Sequence, residues 1–238
     1  MSSRLTLGDI DVEVVFKEIK NVHLSIHPPT GRVRISAPSR TSIDTIRAFA
    51  ISKLSWIRQQ QDRLQRQERE TPREYLERES HFVWGKRYLL EVVEENAAPR
   101  VELKHGKILL RVRPETDREG REALLSLWYR EQIRATIPTL IAKWEPIIGA
   151  RVEQFFVQRM KTRWGSCNQE QQTIRLNTAL AKKPKECLEY VLVHEMAHIL
   201  EPGHGKRFVA LIDRCIPNWP SYRALLNQLP VSHEDWAY

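Results

Sequence analysis

The sequence predicts an α+β fold in two domains, because strand-like and helix-like patterns follow one another in blocks. Apolar residues alternate with polar ones over residues 10–37 and again over residues 81–113, which is the period of half-buried strands. Residues 42–68 and 117–145 repeat their apolar residues at the helical period instead. Blocks of strands separated by long helices are typical of the α+β class.

The first block, residues 10–37, is predicted to form a small antiparallel sheet. A turn is expected at residues 28–31, which read Pro-Pro-Thr-Gly, and Pro38 ends the block. The alternating apolar residues are Val12, Val14 and Phe16, then Val22, Leu24 and Ile26, and then Val33 and Ile35.

One long helix is predicted over residues 42–68. Ser42 is a suitable N-cap, and Asp44 places a negative charge in the first turn. After Ile57 the apolar stripe ends, and the polar segment that follows is expected to lead to a linker at Thr71–Pro72. A nucleic-acid-binding helix is the alternative for this arginine-rich segment, although its charges have mixed signs.

Residues 81–113 are predicted to form four further strands, which join the first block in one N-terminal domain. A domain boundary near Glu115 gives a β-rich domain over residues 1–115 and a second domain over 116–238. The second domain begins with the helix 117–145, in which Pro138 is expected to cause a kink or an end.

Short strands are then predicted around Val152–Val157 and Ile174–Leu176, with a bulge or tight bend at Gly165 and Ser166 between them. Pro184 marks the start of the next helix.

That helix carries the sequence HEMAH, residues 194–198. His194 and His198 are four residues apart, so a helix places both imidazoles on one face, one turn apart. Pro202 and Gly203 end the helix, and His204 follows, where it can return to the same point. Three protein ligands leave one position open, which is the arrangement of catalytic zinc sites, and Glu195 is placed as the general base.

Composition limits the remaining possibilities. The chain has 238 residues, 41% of them hydrophobic and 29% charged, as in globular proteins. It contains no apolar run long enough to span a membrane and no signal-peptide pattern at residues 1–16, and its three cysteines are widely spaced. We therefore expect a cytoplasmic protein without membrane contact. The net charge of +8 favours an anionic partner or substrate.

Three ordered segments resemble a known family: RWGSC at 163–167, RLNTAL at 175–180 and VLVHEMAHILEPGHGKRF at 191–208. Together they look like the YgjP-like metallohydrolases, relatives of the WLM and SprT-type zincins. The resemblance extends over roughly residues 150–228. It implies a zincin-like catalytic domain whose metal ligands are His194, His198 and His204, with Glu195 as the catalytic base. It also implies that Asn177 and the bend at Trp164–Ser166 lie near the site, with Trp164 as framework.

The expected cofactor is one divalent transition metal ion, zinc, with nickel, manganese and cobalt as alternatives. The substrate is a peptide if the protein is a zinc metallopeptidase, as the motif architecture favours. The alternative is a nucleotide phosphohydrolase acting on a nucleoside triphosphate such as UTP, with cations around the metal. Candidate substrate-binding residues are Lys161, Arg163, Asn177 and Arg207. A nucleic-acid-associated module with a structural metal is a third hypothesis, but a structural site needs no base such as Glu195.

Overall fold

A computed structural model describes residues 2–27, 31–66, 74–160 and 163–228. The chain forms two compact units, one within residues 1–71 and one within residues 72–229. Sheets and helices are both present and are segregated along the chain, so the predicted α+β class is confirmed. None of the helices in the described segments combines the length and the apolar character that a membrane crossing requires.

Within residues 2–27 and 31–66, the first unit is a four-stranded sheet with two helices. The predicted turn at residues 28–31 falls mostly outside the described residues. The strands are β1 (Ser2–Leu7), β2 (Ile10–Lys17), β3 (His23–His27) and β4 (Arg32–Pro38), and the helices are α1 (Ile43–Ser52) and α2 (Leu54–Arg66).

This first sheet is mixed, whereas the sequence predicted an antiparallel one. The strand order is β1-β2-β4-β3, and β2 runs parallel to β4. The two strands with fully buried alternating residues, such as Val14 and Ile35, occupy the centre. Strand β3 is only half-buried and takes the edge next to β4. Burial of the most apolar strands therefore decides the pairing, which alternation alone does not specify.

The predicted long helix is interrupted at Lys53, so that α1 and α2 are separate. The Lys53 N–H donates to the Ala50 and Ile51 carbonyls instead of continuing the regular pattern. One residue earlier, the Ser52 hydroxyl donates to the Phe49 carbonyl at 2.7 Å. Such local side-chain bonds to the backbone compete with helical ones. The predicted N-cap is present, since the Ser42 hydroxyl accepts the Thr45 N–H.

The described residues of the second unit form two sheets and four α-helices. The predicted linker at Thr71–Pro72 lies outside the described residues. The strands are β5 (Ser80–Val83), β6 (Lys86–Glu94), β7 (Arg100–Lys104), β8 (Lys107–Val112), β9 (Gln154–Gln158), β10 (Gly165–Asn168) and β11 (Thr173–Asn177). The α-helices are α3 (Arg118–Ile148), α4 (Lys185–Leu200), α5 (Lys206–Cys215) and α6 (Trp219–Gln228), and a short 3-10 helix covers Thr178–Lys182.

The sheet with the order β5-β6-β8-β7 belongs to this second unit, not to the N-terminal domain predicted for residues 1–115. Its buried residues, including Leu90 and Ile108, share one hydrophobic core with α3 and α4. The division of the chain therefore falls after Thr71 rather than near Glu115. Alternation shows that a strand has a buried face, but it does not show which helix covers that face.

Helix α3 continues through Pro138, where the sequence predicted a kink or an end. Proline removes one helical hydrogen bond and costs about 3 kcal/mol in a helix interior. Ile133, Ile137 and Trp144 are all buried, and each buried side chain of this size contributes about 2 kcal/mol. Tertiary burial therefore outweighs the proline. The helix ends at Gly149, which adopts the left-handed conformation with φ 79°.

The smaller sheet has the order β10-β11-β9, with β10 antiparallel and β9 parallel to β11. Gly165 and Ser166, predicted as a bulge or bend, instead begin the edge strand β10. This strand packs against α4, which brings the edge of the sheet next to the histidine motif.

Candidate metal centre

The helix that carries the histidine motif is the most buried of the α-helices described in the second unit. As predicted, α4 begins after Pro184 and ends before Pro202 and Gly203. Its described neighbours are β10, β11, α3, α5 and α6. A helix packed on this many sides holds its side chains in fixed directions. The buried apolar residues are Cys187, Leu188, Tyr190, Val191, Leu192, Val193, Met196, Ala197 and Ile199.

His194, His198 and His204 come together at one point. One ring nitrogen from each lies within 4.8 Å of the others, and the Nε2 atoms of His194 and His204 are 3.1 Å apart. Two nitrogen ligands at about 2.0–2.1 Å from a tetrahedral zinc ion are about 3.3 Å apart. Among the described residues this is the group of metal-ligating side chains that can share one ion.

The protonation of the histidines suits metal binding. His198 Nδ1 lies 3.0 Å from the Glu201 carbonyl, which can only accept a hydrogen bond, so Nδ1 carries the proton and Nε2 keeps its lone pair. Burial is the main reason that the pKa of His194 is lowered to about 4, and the neighbouring imidazoles and Arg223 contribute to the same shift. Burial also lowers the pKa of His204. Both rings are therefore neutral at pH 7, as ligands must be.

Phe208 supports all three imidazoles. Its ring centre lies 4.9 Å from that of His194, 4.7 Å from that of His198 and 4.8 Å from that of His204. The phenyl ring is buried and comes from the first turns of α5, just after the loop that carries His204. It therefore fixes the position of the third histidine relative to the two on α4.

Glu195 is buried beside the triad, with 7% of its surface exposed. Burial raises its pKa to about 7, and the Arg163 guanidinium opposes this shift. A carboxyl group that titrates near neutral pH can both accept and return a proton.

The edge strand β10 passes directly against Glu195. A Cβ atom added to Gly165 would lie 2.8 Å from Cγ and from Oε1 of Glu195, well inside van der Waals contact. The sequence predicted a bend at Gly165. In the structure, the glycine instead allows the β10 backbone to lie close to the Glu195 side chain, because it has no side chain of its own.

Asn177 holds the chain next to the site. Its side-chain amide donates to the Met160 and Arg163 carbonyls at 2.7 and 2.8 Å, and its oxygen accepts the Ala179 N–H. Its backbone N–H donates to the Trp164 carbonyl at 2.9 Å. The substrate contact predicted for Asn177 stays a prediction, but these bonds already use its amide to position the segment that carries Arg163.

Of the three cations predicted to bind substrate, Arg163 and Arg207 lie within the described residues, and they have different surroundings. Arg163 is exposed and lies close enough to Glu195 to lower its pKa. Arg207 is exposed in the first turn of α5 and has no hydrogen bond or ion pair within the described residues. Lys161 lies outside the described residues.

Two residues near the triad were not anticipated from the sequence. Tyr190 packs edge-on against His194, with ring centres 5.9 Å apart. It precedes His194 by one helical turn, so the spacing was a usable signal. Arg223, on α6, affects the pKa of His194, His204 and Tyr190. No local pattern links it to the motif, because only the packing of α6 on α4 brings it there.

Comparison with known proteins agrees with the predicted family. The family model of the YgjP-like metallopeptidase domain matches residues 20–229. Among solved structures, the metallopeptidase zymogen of Pyrococcus abyssi abylysin is similar at 18% identity with a TM-score of 0.36, over 41% of this chain and 99% of that one. A comparison with curated proteins gave no match. Since the family match covers most of the sequence and includes the histidine motif, the chain belongs to the YgjP-like metallopeptidase-domain family.

Proposed function

We propose that the protein is a zinc-type metallopeptidase, with His194, His198 and His204 as the metal ligands and Glu195 as the general base. The three neutral ring nitrogens fit a single divalent ion in size and charge. The histidine cluster favours zinc over magnesium or calcium, which prefer oxygen ligands. Nickel, manganese and cobalt fit the same donors and remain alternatives to zinc.

A divalent ion held by this triad would supply Lewis acidity, polarising the substrate carbonyl and making water a stronger acid. Glu195 accepts the proton of the attacking water at its carboxylate and delivers it to the amide nitrogen as the peptide bond breaks. Phe208 and the Glu201 carbonyl hold the imidazoles, and Gly165 leaves room for the carboxylate.

The close approach of β10 to Glu195 is the observation that favours a peptide substrate. Strand β10 lies at the edge of its sheet, and within the described residues β11 is its partner strand. An extended peptide can pair with such an edge through its backbone. A peptide bound along β10 would pass Gly165, the residue that lies against Glu195. Backbone recognition of this kind has no counterpart in a nucleoside triphosphate.

Support for the nucleotide alternative is weaker. That hypothesis requires several cations around the metal to hold phosphates. The sequence suggested Lys161, Arg163 and Arg207 as such cations. Among the described residues, Arg163 is the one of these that affects the site, because its charge lowers the pKa of Glu195.

The test is a comparison of wild-type protein with Glu195→Gln, each loaded with zinc, on unfolded proteins and on nucleoside triphosphates including UTP. We expect peptide-bond cleavage by the wild type. We expect a loss of about a hundred- to ten-thousandfold in Glu195→Gln, because an amide cannot accept the proton. Metal content should be equal in both proteins. UTP hydrolysis that depends on Glu195, without any peptide cleavage, would instead favour the phosphohydrolase.

A further inference from the structure

Three basic segments of the second unit come together at the start of β10. They are residues 84–87 at the turn between β5 and β6, residues 163–164 before β10, and residues 181–185 at the start of α4. None of these segments contains an aspartate or a glutamate. Their cations, which we call the basic surface, are Lys86, Arg87, Arg163, Lys182, Lys183 and Lys185.

The turn between β5 and β6 is held against the start of α4. The backbone N–H groups of Trp84 and Gly85 donate to carbonyls at the end of the 3-10 helix, at 2.8 and 3.3 Å. A Cβ atom added to Gly85 would lie 2.9 Å from Cγ of Pro184, so the absence of a side chain allows this close approach. The two cations that follow the turn therefore lie beside the lysines that precede and begin α4.

Aromatic rings connect these lysines to one another and to β10. The Nζ atom of Lys185 lies 5.4 Å from the ring centre of Trp84. The Nζ atom of Lys183 lies 5.8 Å from the ring centre of Trp164. Cations at such distances are attracted to an aromatic face. Trp164 directly precedes Gly165, the first residue of β10, so the basic surface reaches the start of this edge strand.

The charge of the basic surface suits an anionic partner. Lys86, Arg87, Arg163 and Lys185 are exposed and can contact a molecule in solution. Like charges held close together repel one another, and an anion bound among them relieves that repulsion. A concentration of one sign of charge also attracts oppositely charged partners from a distance.

The position of the basic surface favours an acidic stretch of the polypeptide substrate as that partner. A peptide paired along β10 extends past the start of this strand at one of its two ends, where the basic surface lies. Single-stranded nucleic acids combine phosphate contacts with bases stacked on aromatic rings. Trp84 and Trp164 are instead partly buried against the hydrophobic core, and each has a lysine over its ring.

We propose that the basic surface binds an acidic segment of the polypeptide substrate, next to the stretch that pairs with β10. This inference rests on the proposed peptidase function. The carboxylates of such a segment form charge-assisted contacts with the exposed lysines and arginines. The surface therefore selects protein substrates that carry a run of aspartates or glutamates on one side of the cleaved bond.

The experiment measures the binding of labelled peptides to zinc-loaded Glu195→Gln protein, so that it does not depend on turnover. A neutral octapeptide, acetylated and amidated, is extended by a short run of glutamates at its N-terminal or at its C-terminal end. The same extensions made of glutamine are the neutral counterparts. A DNA duplex and a single-stranded RNA are tested as alternative partners.

Two further proteins carry substitutions in this background. The test variant replaces three exposed cations of the basic surface: Lys86→Gln, Arg87→Gln and Lys185→Gln. The control variant replaces three exposed cations elsewhere in the second unit: Lys104→Gln, Arg113→Gln and Arg130→Gln. Both variants lose the same net charge, so a difference between them reports where the charge lies. Unchanged binding of the glutamine-extended peptides shows that the test variant is folded.

We expect glutamates at one end to tighten binding at least about tenfold over glutamines at low ionic strength, since several exposed ion pairs act together. This preference should shrink in high salt, because exposed charges are screened. It should be lost in the test variant and kept in the control variant. The end at which glutamates act shows whether the peptide runs parallel or antiparallel to β10.

Three outcomes would overturn the inference. The first is a preference for glutamate that persists in the test variant. The second is an equal effect of glutamates at both ends, or none at either end, while the neutral peptides bind. The third is nucleic-acid binding that the test variant loses while its glutamate preference remains. Failure of the proposed function has a different signature, which is absent peptide cleavage by the wild type.

Discussion

Gly165 is the residue that leaves space for the Glu195 carboxylate. No side chain fits between β10 and α4 at this point, because the hypothetical Cβ atom already overlaps the carboxylate oxygen. Glu195 is buried, so it has little freedom to move away. A small change at a residue that never touches the metal should therefore affect the base directly.

We predict that Gly165→Ala reduces kcat by about ten- to a hundredfold, since a base displaced by about an ångström loses much of its contribution. Metal content and KM should change little. Gly203→Ala is the control, because a Cβ atom there meets nothing within 4 Å. Steady-state kinetics on a peptide substrate provides the measurement. Equal activity of Gly165→Ala and wild type would show that Glu195 tolerates the displacement.

At the level of elements, the proposed metal site lies between α4 and the start of α5. Helix α4 supplies His194 and His198, whereas His204 comes from the connection between the two helices. Phe208, on α5, packs on all three rings. An ion bound at this point would add a crosslink between two helices that are already joined by residues 201–205 and by packing.

Removal of His204 should weaken this crosslink. We predict that His204→Ala lowers zinc affinity by more than about a hundredfold, since even loss of a group that only hydrogen-bonds to a ligand costs about ten- to a hundredfold. Zinc at about a hundred times its Kd stabilises the native state by about 2.7 kcal/mol. The wild-type Tm should therefore rise with zinc and fall with a chelator, and His204→Ala should show neither change.

Glu195→Gln serves as the control in this experiment, because it keeps all three ligands and should keep the full zinc-dependent rise in Tm. A rise of the same size in His204→Ala would contradict the assignment of His204 as the third ligand.

At the level of the whole molecule, the two units have separate cores and separate sources of stability. In the first unit, Arg34 binds the Glu13 carboxylate with two hydrogen bonds at 3.0 and 3.3 Å, across the central strands β2 and β4. The Arg34 hydrogen bond is the main reason that the pKa of Glu13 is lowered. This pair lets the stability of the first unit be examined through its dependence on pH.

A lowered pKa in the folded state means that the unfolded chain binds the proton more readily. The stabilisation is therefore present above the ordinary carboxyl pKa of about 4.3 and is lost as pH falls through the lower folded value. We predict that Arg34→Gln reduces the unfolding free energy of the first unit by about 1 kcal/mol at pH 7, with the difference vanishing in acid.

Hydrogen exchange of the β2 and β4 amides in the full-length protein reports this effect. Arg47→Gln is the control, since Arg47 and Asp44 form an exposed pair on α1. A destabilisation by Arg34→Gln that persisted unchanged in acid would assign it to packing instead of charge.

Local spacing was enough to predict that the three histidines lie together. His194 and His198 are one turn apart on a helix whose start and end are marked by Pro184 and Pro202, and His204 follows directly. The caps, the periodicity and the ligand set all depend on residues near one another in the chain. The family and the α+β class followed from the same local patterns.

Strand pairing, the continuity of α3 and the contacts between distant segments were decided by tertiary structure, because they depend on which surfaces pack together. Burial of apolar side chains kept α3 helical through Pro138 and made β2 and β4 parallel neighbours. It also placed the sheet β5-β6-β8-β7 in the second unit. The contact of Gly165 with Glu195 and the approach of Arg223 to His194 join segments far apart in sequence. The sequence by itself thus determined the histidine motif on which the proposed activation of water rests. The contacts that β10 and α6 make around the triad come from their packing against α4.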